Sequence, residues 1–318
     1  MKLKLLLLLL SVCSLQITIA QNRIYRNEAG YKTDNDGLLF RGSDRYYTAG
    51  NFFYYRRALK VKDSVNISNK ILGFELGQKI YTPQSAALPG PQYIDRPFAG
   101  YLYIAPSLNL LYNNESNLKL EAQLGIVGPH AIGEQVQDLI HNTFHFYAPK
   151  GWEYQINNDP EINLSAKYNR LLIRRRGVDV LLNTHADLGT GIIGAGAGFT
   201  ARFGKFNPLY HSVTTQSTLS ATKTTNNNNR ELFFYAKPLI SFVGYDATIQ
   251  GSIFKKYAAI DEIENDKTPV VLAEQLGANL VSGHWILDVS ATYQTRTTKQ
   301  MVHKPGHQWG SLSVLYRF

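Results

Sequence analysis

One pattern constrains this chain more than any other: apolar residues alternate with polar or small ones in segment after segment. The clearest case places Leu118, Leu120, Ala122, Leu124 and Ile126 between Lys119, Glu121, Gln123 and Gly125. A period of two sends successive side chains to opposite faces of a strand. Leu72, Phe74 and Leu76 alternate with Gly73, Glu75 and Gly77 in the same way. Comparable segments fall at 24–34, 47–60, 69–82, 98–112, 117–128, 162–174, 178–189, 191–203, 231–249, 269–282, 284–298 and 308–318, which makes twelve. Each is near or above the ~9–11 residues that a tilted strand needs to cross a bilayer. An even number suits a single-chain barrel with both termini on one side.

The first twenty residues read as an export signal. Lys2 and Lys4 precede an apolar run from Leu5 that continues to Ile19, and Thr18 and Ala20 are small residues before a cut at Gln21. Residues 1–20 are therefore a signal peptide and 21–318 one domain. Cys13 is the sole cysteine; Val12 before it argues against a lipoprotein, so the mature chain has no disulfide chemistry. With 20 Tyr and 15 Phe, and no run of ~20 apolar residues after the signal, composition suits an outer-membrane barrel with aromatic girdles. A periplasmic β-sandwich shares most of these features. The terminal Leu315-Tyr316-Arg317-Phe318 favours the barrel, because a final aromatic is the usual mark of a chain passed to the outer-membrane insertion machinery. The expected fold is all-β: an antiparallel transmembrane barrel of twelve strands in the outer membrane of a Gram-negative bacterium. Closure leaves no edge to pair, so a monomer is expected.

Connections alternate in length. Segments 61–68, 113–116 and 175–177 are turn-like, whereas 35–46, 83–97, 129–161 and 250–268 have the length of outward-facing loops. Segment 204–230, with its Asn226–Asn229 run, breaks the alternation and reads as a flexible, low-complexity periplasmic connection. Arg174-Arg175-Arg176 marks a periplasmic turn rather than a nucleic-acid site. Residues 131–147 are helical in pattern: Val136, Leu139, Ile140 and Phe144 share one face, and Gln137, His141 and His145 another.

This topology brings three stretches to the outer rim: Thr33-Asp34-Asn35-Asp36-Gly37, Asp44-Arg45-Tyr46-Tyr47-Thr48-Ala49-Gly50, and Val127 through Gln137 to His141. Carboxylates beside amide and hydroxyl oxygens suit a hard cation such as Ca²⁺, and an imidazole suits general-base work near neutral pH. Blander readings exist for each residue. A surface histidine on a loop helix, a loop-tip aspartate and an ordinary strand threonine would look the same. His141 and His145 four apart also fit a zinc pair, although no Glu follows His141 and no third ligand suggests itself.

Five pieces in order resemble the lipid A 3′-O-deacylases of Gram-negative outer membranes: Asn35-Asp36; Asp44 to Gly50; Gln78-Lys79-Ile80-Tyr81-Thr82-Pro83; Asp95-Arg96-Pro97-Phe98-Ala99-Gly100; and Val127-Gly128-Pro129 through Gln137 to His141. The similarity spans residues 33–165. It implies a twelve-stranded barrel with its site between the wall and a short helix in an outer loop. The implied reaction is calcium-dependent hydrolysis of the ester carrying the 3′-acyloxyacyl group of lipopolysaccharide. On the matched positions His141 would be the general base; Asn35, Asp36 and Thr48 would shape the site; and Gln137 would lie one turn before the base. Asn35 and Asp36 would also serve the calcium. The loop from Gln84 to Asp95 departs from the family in having no Lys or Arg. Phosphate pairing would then fall to Arg96, with Arg45, Arg41 or Lys150 as further candidates. Rival readings are an outer-membrane phospholipase or esterase and a non-catalytic porin-like barrel.

Overall fold

A computed structural model of the protein describes residues 24–39, 44–61, 66–222, 230–255 and 261–318. The expected signal peptide, Arg41 and the Asn226–Asn229 run lie outside them. Twelve strands run in order: β1 (Asn27–Asn35), β2 (Tyr46–Ala58), β3 (Ile67–Thr82), β4 (Ala99–Tyr112), β5 (Ser116–Val127), β6 (Asp159–Arg175), β7 (Val178–Gly189), β8 (Ile192–Lys205), β9 (Arg230–Asp246), β10 (Val270–Ser282), β11 (Trp285–Gln294) and β12 (His307–Arg317). Each pairs antiparallel with its neighbour in sequence, and β1 pairs with β12 from Glu28 opposite Arg317 to Asn35 opposite Gly310, closing the barrel. Closure satisfies every ladder internally, the condition for strands to lie in hydrocarbon.

The alternation sorts side chains as expected. Phe74, Leu76, Leu120 and Leu124 are exposed on the outer face. Between them, Lys119 and Glu121 form an ion pair at 2.8 Å inside the lumen, where Glu75 also accepts from the Tyr103 hydroxyl at 2.6 Å.

The β8–β9 connection corrects the expectation of a flexible segment. Its described part, up to residue 222, folds into the lumen at the end that carries the termini. Arg202 on β8 is fully buried; it donates to both oxygens of Asp179 at 2.8 and 2.6 Å and to Ser212 Oγ at 2.8 Å. Glu231 accepts from the Asn207 and Val213 backbone N–H groups and from Ser212 Oγ, each at 2.8 Å. From across the lumen Asn69 donates to Leu219 O and Asn109 to Thr215 O, and Glu28 accepts from the Thr218 hydroxyl. An irregular backbone inside a barrel needs partners for its peptide groups, and Ser, Thr and Asn supply them where no period reveals it. Leu219 anchors the plug among Tyr25, Ala58, Ile71 and Leu111. Above the plug remains a polar chamber of about 600 Å³.

Candidate active site

The long β5–β6 connection carries helix α1 (Gly133–Phe144). Gly128 and Pro129 open a single turn, Ile132 is left-handed at φ 52°, and α1 ends where His145 turns left-handed at φ 57°. Phe146 N then bonds back to His141 O at 2.8 Å. α1 lies on the outside of the wall over β2–β4. Gln78 on β3 donates to Ala131 O at 2.8 Å, and Val136 packs against Ala49, Ile80, Phe98 and Trp152. A Cβ on Gly100 would stand 3.1 Å from both Ala131 Cβ and Gly133 N, so glycine lets helix and strand backbones meet. Gly100→Val is expected to lift α1 from the wall at a cost of about 1–3 kcal/mol. Hydrogen exchange would show it as faster exchange of α1 amides with the strand amides unchanged.

The helix inverts the pattern of a water-facing amphipathic helix. Leu139 and Phe144 are 66% and 65% exposed, whereas Gln137 and His141 are 3% exposed. The apolar stripe continues the lipid-facing surface of the barrel, and the polar stripe faces the wall.

That polar stripe presents His141 to the tip of the β1–β2 connection. His141 Nδ1 lies 2.6 Å from Tyr147 O and Nε2 lies 2.8 Å from Asp44 Oδ2. The Tyr147 hydroxyl donates to the same Asp44 oxygen at 2.7 Å, and its ring meets the imidazole edge-on at 4.8 Å. Burial first, then the bond to Asp44, raises the Tyr147 phenol above its ordinary range and keeps it a donor. The next residue, Arg45, donates its backbone N–H to Asp36 Oδ2 at 3.0 Å, so Asp44 and Arg45 tie His141 and Asp36 into one cluster. Asp36 Oδ1 is buried without a partner. Burial, the largest influence, pushes the Asp36 carboxyl up to about 8; the charge of Asp44 adds to the rise, and the Arg45 N–H opposes it.

The remaining sequence candidates divide. Asn35 ends β1 beside Asp36, with its Oδ1 accepting from Gly37 N at 2.7 Å. Gln137 accepts from Trp152 Nε1 at 2.9 Å, and its Nε2 is buried without a partner. Thr48 lies at a register shift between Tyr47 and Ala49, and its hydroxyl is spent on Thr82 at 2.6 Å. Arg45 is half-buried. Arg96, expected to pair with phosphate, is 2% exposed, donates to Pro97 O and Thr248 Oγ1, and stacks on Tyr81 at 4.0 Å. These contacts brace the barrel mouth. Lys150 is exposed. Sequence reasoning did not single out Asp44 or Tyr147 for the site. Position at the mouth of the Asp36 loop was the signal for Asp44, whereas Tyr147 arrives only through the chain reversal at His145.

Fold and cluster together define an outer-membrane β-barrel whose polar site is built on the outside of its wall. The chain belongs to the LpxR family of outer membrane proteins: the family model described as "Outer membrane protein LpxR" matches residues 5–318. This bears out the resemblance drawn from the motifs. LpxR from Salmonella typhimurium superposes with a TM-score of 0.72 at 21% identity, covering 92% of this chain and 100% of that one, a likeness of fold. The translocator domain of the autotransporter NalP from Neisseria meningitidis gives a TM-score of 0.43 at 10% identity, covering 93% of this chain and 88% of that one. No curated protein matches the sequence.

Proposed function

We propose that the protein is a calcium-dependent lipid A 3′-O-deacylase that uses His141 as its general base. The observation that carries this reading is a nearly fully buried imidazole held against Asp44 and Tyr147, next to an exposed apolar stripe suited to acyl chains. On this reading Nδ1–H donates to Tyr147 O, 2.6 Å away, which selects the tautomer with the lone pair on Nε2. From there Nε2 takes a proton from water as the water oxygen attacks the ester carbonyl, and returns it to the departing 3′-oxygen. The products are a free acyloxyacyl acid and a 3′-hydroxyl. No nucleophilic serine is needed, and the sequence has no G-x-S-x-G elbow.

The residues present fit a hard cation. Asp36 offers a buried carboxylate oxygen with no donor, and Asn35 an amide oxygen beside it. Among the described residues, three or more His, Cys, Asp or Glu are nowhere gathered as a ready-made cage, so water and substrate oxygens would complete the shell, as calcium sites permit. Asp36 with Asn35 would hold the ion, which when bound polarises the ester carbonyl.

The raised Asp36 value sets a pH dependence. In the folded protein Asp36 keeps its proton up to about 8 against an ordinary 3.8, so its ionisation costs stability as pH rises through that window. A cation must displace that proton. Calcium affinity is therefore expected to rise by about tenfold per pH unit below about 8 and to level off above it. Calorimetric titration across that range checks this; affinity that ignores pH would remove Asp36 from the ligand set.

The buried Arg96 and the cation-free 84–95 loop favour a second reading, a phospholipase of broader scope. Purified protein with calcium or with chelator, offered lipopolysaccharide or phospholipid vesicles, separates the two by mass spectrometry of the products. Loss of the 3′-acyloxyacyl mass only with calcium supports the deacylase. Release of phospholipid acyl chains alone supports the rival.

A further inference from the structure

Both ring nitrogens of His141 face oxygen acceptors: the Tyr147 carbonyl at 2.6 Å and the Asp44 carboxylate at 2.8 Å. A neutral imidazole has one N–H and one lone pair, so it can satisfy only one of them. The carbonyl contact matches the tautomer that a base at Nε2 requires. The carboxylate contact does not, because it covers the lone pair with a negative oxygen and leaves water no approach to it. Catalysis by His141 requires Asp44 to move.

Two features show where Asp44 has reason to go. Its neighbour Arg45 already donates its backbone N–H to Asp36, and the negative charge of Asp44 acts on the Asp36 carboxyl, which sets the two carboxylates around one recess. Within that recess Asp36 Oδ1 is buried with no donor, and both bonds made by Asp44 fall on its Oδ2. Asp44 is held to the imidazole by one further bond, the Tyr147 hydroxyl at 2.7 Å.

We propose that Asp44 is a calcium-operated latch, a carboxylate that caps His141 Nε2 until it joins Asp36 around the cation, so that cation binding and exposure of the base are one event. This rests on the deacylase reading. It makes Asp44 a positioning residue and Tyr147 the catch that holds it. The latch also gives a physical basis for activity conditional on calcium, beyond help at the carbonyl: without the cation the base stays covered.

The test uses full-length protein in detergent micelles, with calcium as the probe and two readouts besides turnover. In protein labelled with ¹⁵N-histidine, with the His141 signal assigned through His141→Gln, calcium is expected to move Nε2 from the carboxylate-paired to the free lone-pair position. In calorimetry Asp44→Asn is expected to weaken calcium binding about tenfold or more, since a charged ligand is lost. Tyr147→Phe is expected to tighten it, because the catch is gone; a merely structural role for Tyr147 would weaken binding instead. The latch is overturned if His141 resonances are the same with and without bound calcium, if wild type binds no calcium, or if Tyr147→Phe binds calcium more weakly. Should calcium bind and shift His141 as expected while lipid A stays intact, the deacylase reading fails and the latch stands. Lipid A cleavage with unmoved His141 signals removes the latch and leaves the deacylase standing.

Discussion

Replacing His141 with alanine is expected to lower lipid A deacylation by about 10²–10⁴-fold, the range that a lost general base commands, with the barrel intact. The expectation follows from placement. His141 is fixed between the helix and the β1–β2 tip, through Tyr147 O on one side and Asp44 on the other. Since α1 packs on the wall through Val136 and the Gly100–Gly133 approach, truncating a side chain on its polar stripe leaves that packing in place. Mass spectrometry of lipid A from cells expressing wild type or variant reads the loss, and slower migration of unheated protein in gels would expose a misfolded barrel. Near-wild-type deacylation by a folded variant would sink the proposed base.

The second large effect concerns the plug. Arg202→Ala should strip the buried Asp179 carboxylate of its bidentate partner and leave it Arg174 alone, at 3.0 Å; the loss of charge-assisted bonds is expected to cost about 2–3 kcal/mol, less than a buried pair broken outright. Urea unfolding from micelles measures this. Because Arg202 also holds Ser212, the same variant is expected to make the plug sensitive to protease and to raise channel conductance in planar bilayers. A variant as stable and as poorly conducting as wild type would show that the segment is held by its other bonds. The filled lumen also weighs against a porin: among the described residues the plug bonds to β1, β3, β4, β8 and β9 around the wall.

Where a residue's fate depends on its own strand, the sequence was legible. All twelve strands appear close to their expected limits, since lipid outside and polar lumen inside impose a strict period. The misplaced ends have local causes. β9 stops at Asp246 rather than 249, because that side chain caps a helical turn by accepting from Thr248 N. β11 stops at Gln294 rather than 298, since the chain then folds over the mouth and Thr298 bonds to Asp95 O. Residues whose fate depends on distant partners were not legible. The plug has no period, and its bonds run to residues more than a hundred positions away, such as Asn69 and Asn109. Arg96 looked like a surface cation until Thr248, 152 residues later, took its guanidinium. In the site the family motifs pointed to His141 and Asp36. The contacts that make them one cluster run through Asp44 and Tyr147, and they depend on the left-handed turn at His145.

The helix sits on the outer wall and turns Leu139 and Phe144 away from the barrel, which bears on how such a site meets a lipid. On the deacylase reading, substrate would arrive sideways, by two-dimensional diffusion within the leaflet, with neither the lumen nor bulk water on its route. The concentration that governs encounter is then a mole fraction among neighbouring lipids, so the membrane's composition acts as a kinetic variable in its own right.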